Sequence, residues 1–112
     1  LLSAKNSLND KSENFSYFPF DVTDRAKWAE FKEYLEKNGI FPDMLINNAG
    51  FMLPFAKFEK YSQEEIDEII KTDFLSVVVA TRTLLPLIKK SDTPAIINVS
   101  SAAGLCPVVG ER

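Results

Sequence analysis

Three clusters of polar and small residues follow apolar runs in this chain: Phe20-Asp21-Val22-Thr23-Asp24, Asn47-Asn48-Ala49-Gly50 and Ser100-Ser101-Ala102-Ala103-Gly104. A carboxylate such as Asp21 can only accept hydrogen bonds, whereas a serine hydroxyl or an asparagine amide can donate as well. Alanine and glycine beside them let a ligand come close to the backbone, and glycine also tolerates backbone angles that other residues avoid. If the three apolar runs are parallel strands, their C-terminal ends meet at one rim, and that rim is where an open α/β sheet binds ligands. Asp73 is a further candidate, a single carboxylate on an otherwise apolar helical stripe.

Some chemistry is removed at once. The sequence contains no histidine, so a Ser-His-Asp triad and histidine metal ligation are both out, and no metal site is expected. Cys106 is the sole cysteine, which forbids an intramolecular disulfide and suits a reducing, cytoplasmic compartment. A lone thiol of this kind is either a small packing or loop residue or a nucleophile.

The elements that must position these residues can be followed along the chain. Residues 3–14 are rich in Ser, Asn, Asp and Lys and fit a linker or a frayed helix end. Phe15–Phe20 alternates in the manner of a short strand near a sheet edge. Thr23 or Asp24 can cap a helix whose buried stripe is Trp28, Phe31 and Leu35, and Asn38-Gly39 ends it. Asp43–Ile46 is a second strand leading into the Asn-Asn-Ala-Gly turn. The loop over residues 51–61 holds three phenylalanines, a methionine and a tyrosine. It either packs under the rim or faces a substrate.

Ser62-Gln63-Glu64-Glu65 has capping-box spacing and opens a long helix reaching about Lys90. One stripe of it carries Ile66, Ile70, Asp73, Val77, Ala80, Leu84 and Leu87. A second carries Phe74, Val78, Thr81, Leu85 and Ile88. A helix that is apolar on two sides needs a sheet on one and either another subunit or a neighbouring helix on the other. Pro86 removes a hydrogen bond and should bend or loosen the last turn. Pro94–Val99 reads as a third, buried strand. Strand, helix, strand, helix, strand is the order of a parallel α/β sheet.

A chain of 112 residues forms one domain with a modest core. With 46% hydrophobic and 26% charged residues it belongs with soluble globular proteins. A formal charge of -3 and the lack of a basic stripe argue against nucleic acid. No apolar run is long enough to span a membrane, and Leu1-Leu2-Ser3 is too short for a signal-peptide core.

Asp21-Val22-Thr23, Leu45-Ile46-Asn47-Asn48-Ala49-Gly50 and Ile96-Ile97-Asn98-Val99-Ser100-Ser101-Ala102-Ala103-Gly104 occur in the order and at the spacings of a known family. From about Phe15 to Arg112 the chain resembles the classical short-chain dehydrogenases/reductases. The resemblance implies a partial Rossmann-type, doubly wound parallel sheet. It also implies part of an oxidoreductase that uses NAD or NADP to move hydride between nicotinamide and a small carbonyl or alcohol substrate. Residues 1–112 would then be one incomplete dinucleotide-binding domain, oligomeric through the 63–90 helix.

Roles carry over by the same resemblance. Asp21 receives the adenine amino group and the Val22 amide meets a ring nitrogen, and Asp21 could serve as a helix cap as well as or instead of that. Asn48, Ala49 and Gly50 lie against ribose and nicotinamide, while Asn47 only connects strand to loop. Ser101 steadies the substrate oxygen, and Ser100 turns to the opposite face. Asp73 stands where the family usually has asparagine. Its role in the family's water-mediated proton relay is set against that of a partly buried carboxylate that pairs with a neighbour or is protonated.

Two family parts are not found. The Tyr-x-x-x-Lys pair would fall just past Arg112, and Tyr17, Tyr34 and Tyr61 all precede that position. Gly39, Gly50, Gly104 and Gly110 do not form the glycine-rich turn that seats a pyrophosphate. The polypeptide is therefore expected to be a fragment, proteolytic or genetic, that binds cofactor poorly and is inactive alone. In a sheet ordered 3-2-1-4-5-6 two strands separate the third from the fourth. Phe15–Phe20 must then close up beside Asp43–Ile46 or leave a gap for another chain. The alternatives are a noncatalytic nucleotide-binding protein of the same fold and an interaction module that docks through the two-sided helix.

Overall fold

Asp24 starts the first helix by geometry that its short carboxylate side chain makes easy. It sits in the extended region and accepts hydrogen bonds from Ala26 N at 2.9 Å and Lys27 N at 3.1 Å. Such a cap is worth about 1 kcal/mol. Helix α1 spans Arg25–Lys37 and ends at Gly39, whose φ of 64° suits glycine. Gly39 N donates to Glu36 O at 3.1 Å and Ile40 N to Leu35 O at 2.9 Å, the paired bonds of a Schellman motif. The computed structural model describes residues 16–106, so the linker expected over residues 3–14 and the residues from 107 onward lie outside the described residues.

Two strands follow, β1 (Met44–Asn47) and β2 (Ala95–Asn98), paired in parallel with Met44 opposite Ala95 and Asn47 opposite Asn98. Ala95 N to Asp43 O and Val99 N to Asn47 O, both 2.9 Å, extend the ladder at each end. Between them run α2 (Gln63–Ile69), a π-helical stretch (Ile70–Leu75) and α3 (Ser76–Ile88). The expected capping box is present, with Glu65 N on Ser62 Oγ at 3.2 Å and Ser62 N on Glu65 Oε2 at 2.8 Å.

The core is small and joins the two long helices. Trp28 and Leu35 of α1 meet Ala80, Leu84, Leu87 and Ile88 of α3, with Leu45 of β1 packed against them. Trp28 buries its ring and satisfies its one polar atom by donating from Nε1 to Val22 O at 2.9 Å. Phe20 stands edge-on to Trp28 with centroids 4.9 Å apart, and Phe18 lies 5.2 Å from Phe31.

Three sequence expectations are corrected here. Residues 16–20 of the expected Phe15–Phe20 strand join no ladder, because the sheet contains only β1 and β2 among the described residues. An extended segment without a hydrogen-bonding neighbour is not a strand, and this one is held by its aromatic side chains against α1 instead. It does not close up beside β1. The third strand is not buried either: Ile97 and Val99, like Met44 and Ile46, are exposed on the sheet face that the helices leave bare.

The third correction concerns the long helix. It is not one uninterrupted α-helix, because Ser76 N donates to Lys71 O, five residues back, and Ser76 Oγ bonds to Thr72 O. A π turn inserts an extra residue and rotates everything before it relative to everything after it. The stripe read as continuous is therefore split, with Ile70 47% exposed and Ala80 only 1%. Pro86 does not stop α3, since Lys89 N still reaches Leu85 O at 3.0 Å.

Candidate functional site

The parallel register decides what meets at the rim. Asn47 and Asn98 are opposite one another, and Gly50 and Ser101 each follow three residues later, so both clusters leave the sheet side by side. Asn47 Nδ2 donates to Asn98 Oδ1 at 2.8 Å and ties the strand ends together. That partner of Asn47 was visible in the sequence only as a second asparagine at the same strand position. The third cluster arrives through Val22, which shares a cleft of about 70 Å³ with Asn47, Asn48 and Ala49.

Asp21 does not cap α1, since Asp24 does. Its Oδ1 accepts from Thr23 N and Thr23 Oγ1, both at 2.8 Å. These bonds stabilise the charged form and hold the carboxyl below the ordinary aspartate range. A depressed carboxyl contributes stability above its unfolded pKa, so this turn is intact at neutral pH and loosens only as acid titrates it. Its Oδ2 and the Val22 N–H take no hydrogen bond among the described residues. Val22 O is already occupied by Trp28.

Asp73 lies within the π-helical stretch and meets the rim at the Gly50–Phe51 turn. Its Oδ1 accepts from Phe51 N at 3.0 Å. A Cβ placed on Gly50 would lie 3.3 Å from the same oxygen, so the turn passes under the carboxylate with room for a hydrogen and little else. The side chain is exposed, not the partly buried one considered from sequence, and its partner is a backbone amide. An amide oxygen can accept the same bond. Asp73→Asn is therefore expected to leave thermal stability within a few tenths of a kcal/mol, while Asp73→Ala costs about 0.5–1 kcal/mol by removing the hydrogen bond to Phe51 N. Calorimetric melts of the two variants check this, and equal losses would show that the bond contributes nothing.

Ser101 ends the extended segment after β2. Its Oγ accepts from Ala103 N at 3.2 Å and caps a short 3-10 turn over Ala102–Gly104. This use occupies an acceptor lone pair and leaves the hydroxyl hydrogen to donate elsewhere. Cys106 is exposed, and the described residues contain no cluster that could hold a metal ion. No helix among them is long and apolar enough to cross a membrane.

Sequence reasoning missed the π turn and the latch in the 51–61 loop, where Tyr61 Oη accepts from Ala56 N at 3.1 Å and donates to Pro54 O at 3.0 Å. The signal for the first was the carboxylate interrupting an apolar stripe. The second had none beyond a tyrosine near a proline.

A parallel βαβ unit with small, polar strand ends gathered on one rim defines a partial Rossmann-type α/β fold. The sequence profile described as short chain dehydrogenase matches residues 1–111. The chain belongs to the short-chain dehydrogenase family. It is 33% identical to the NADP-dependent 3-hydroxy acid dehydrogenase YdfG of Escherichia coli (strain K12), over 98% of this chain and 43% of that protein. It is 30% identical to short-chain dehydrogenase/reductase 1 of Saponaria officinalis, over 96% of this chain and 42% of that one. Among solved structures, serine dehydrogenase from Escherichia coli superposes with a TM-score of 0.81 at 32% identity, covering 98% of this chain and 50% of that chain. ElxO with NADP bound gives 0.82 at 27% identity, with 96% and 43% covered. The chain thus spans less than half the length of the curated relatives it matches.

Proposed function

We propose that these residues form part of an NAD(P)-dependent oxidoreductase that moves hydride between nicotinamide and a small carbonyl or alcohol substrate. The observation that carries this reading is the parallel register: it sets the Gly50 turn beside the Ser101 segment on one rim, with Val22 in a cleft shared with Asn47, Asn48 and Ala49. Small residues on such a rim let a ligand come close to the backbone. Asp21 and Val22, with an acceptor and a donor unused by the fold, would hold the adenine end. Asn48, Ala49 and Gly50 would take the ribose and nicotinamide. The bound cofactor supplies the hydride, and Ser101 would donate to the substrate oxygen as charge develops there.

The same reading includes a cytoplasmic location and self-association through the 63–90 helix. Phe74 and Val78 are 63% and 48% exposed and form an apolar ridge that suits a second copy.

The polypeptide itself has no glycine-rich turn and no Tyr-x-x-x-Lys pair, so calorimetry on the 112 residues should detect no micromolar binding of NAD or NADP. Such binding would refute the assignment of the missing turn as the main anchor. The function is tested in a chimera in which residues 16–106 replace the matching segment of the Escherichia coli 3-hydroxy acid dehydrogenase. Oxidation of reduced nicotinamide with a panel of carbonyl substrates is the expected result. A folded chimera that turns over none of them, while the parent does, counts against the proposal.

A further inference from the structure

We infer that the apolar recess under the 51–61 loop is a subsite for the hydrocarbon arm of the substrate, an alkyl chain or single aryl ring attached to the reacting carbon. The inference rests on the oxidoreductase reading above and names the substrate class. The recess has a volume of about 270 Å³ and is walled by Met52, Leu53, Phe55, Phe58, Ile66 and Ile70. Tyr61 also lines it, but its hydroxyl is occupied by Ala56 N and Pro54 O. The walls are chiefly apolar, and burying a polar or charged group against them without a partner is costly.

Size separates a whole substrate from a part. Complete drug-sized ligands fill roughly 300–1,000 Å³, whereas a dry cavity of about 150 Å³ already accepts benzene. This recess holds an arm and leaves the polar end outside. Position says where that end lies. Gly50 stands on the rim, Phe51 N is fixed by Asp73, and Met52 is the first residue of the recess wall, while Ile70 opens the π turn that carries Asp73. An arm seated among these side chains would keep its carbonyl near the rim. Phe74 and Val78 of the ridge proposed for contact between copies are not among the walls.

The sequence provides its own probe and control, because it has two methionines. Met52 lies in the recess and Met44 on the bare sheet face. Methyl-labelled methionine NMR of the 112-residue chain, titrated with primary alcohols from butanol to octanol and with benzyl alcohol, should move the Met52 line saturably and leave Met44 in place. Affinity should rise about fourfold per added methylene, the factor for about 0.8 kcal/mol per buried CH₂, until the recess is full. Ile66→Phe, which fills the space, and Phe58→Ala, which removes an exposed wall, should each weaken binding at least fivefold. An unmoved Met44 line reports that either variant is folded.

Equal movement of both methionines, or no saturable Met52 shift, overturns the inference. So does a Met52 line that moves with protein concentration alone, which would place a second copy over the recess. No cofactor or turnover enters the measurement, so its failure leaves the oxidoreductase reading standing, and an inactive chimera with an intact Met52 response would refute that reading alone.

Discussion

Leu87→Ala is expected to abolish cooperative folding of this chain near room temperature. Leu87 is 1% exposed and belongs to a core of six buried residues, among the described residues, shared between α1 and α3. Truncating a buried leucine removes its transfer free energy and leaves a cavity, a loss of about 2–5 kcal/mol. Small domains have total stabilities that begin near 5 kcal/mol. Among the described residues the helices cover one sheet face only, and no second layer there offsets the loss. Val78→Ala, on a residue 48% exposed, is the control and should shift stability by no more than about 0.5 kcal/mol. Urea titrations followed by Trp28 fluorescence report on this core directly, since Trp28 is the only tryptophan and is itself buried. Matching midpoints for Leu87→Ala and Val78→Ala would show that the helix pair does not hold the fold.

How much was legible in the sequence depended on how local the cause was. The Asp24 cap, the Gly39 stop and the Ser62–Glu65 box are set by residues within a few positions of each other, and each is formed as its spacing implies. The β1 and β2 ladder is within one residue of the expected bounds because apolar runs flanked by Pro42, Pro94 and the asparagines have little other use. The Phe15–Phe20 strand failed because pairing is a property of two segments. Nothing in Phe18 or Phe20 distinguishes an edge strand from an extended segment pinned by aromatic contacts to α1.

The candidate site divides in the same way. Gly50 and Ser101 could be placed on one rim from the parallel order alone. Asp73 lies within the π-helical stretch, and its contact with the rim is tertiary: the carboxylate accepts from Phe51 N across 22 positions of sequence. Periodicity assumes a constant 3.6 residues per turn, and a stripe that contains one wide turn is misread from there on.

Ser101→Ala in the chimera with the Escherichia coli enzyme is expected to lower kcat about 10²–10³-fold with little change in KM. Removing a single donor aimed at a developing oxyanion has that magnitude, and the effect belongs to the transition state more than to the ground state. Ser101 also caps the Ala102–Gly104 turn through Ala103 N, so the variant should lose stability as well, by about 1 kcal/mol. The two effects separate by measurement: a melt records the cap and a steady-state profile records the donor. Ser101→Thr retains both the hydroxyl and the cap and should recover most of the rate. Ser100→Ala, one residue earlier and on the opposite side of the extended chain, should stay within a few-fold of the parent chimera. If Ser100→Ala and Ser101→Ala slow turnover equally, or if the rate follows the melting temperature across all three variants, Ser101 is a capping residue and the donor at this rim lies elsewhere.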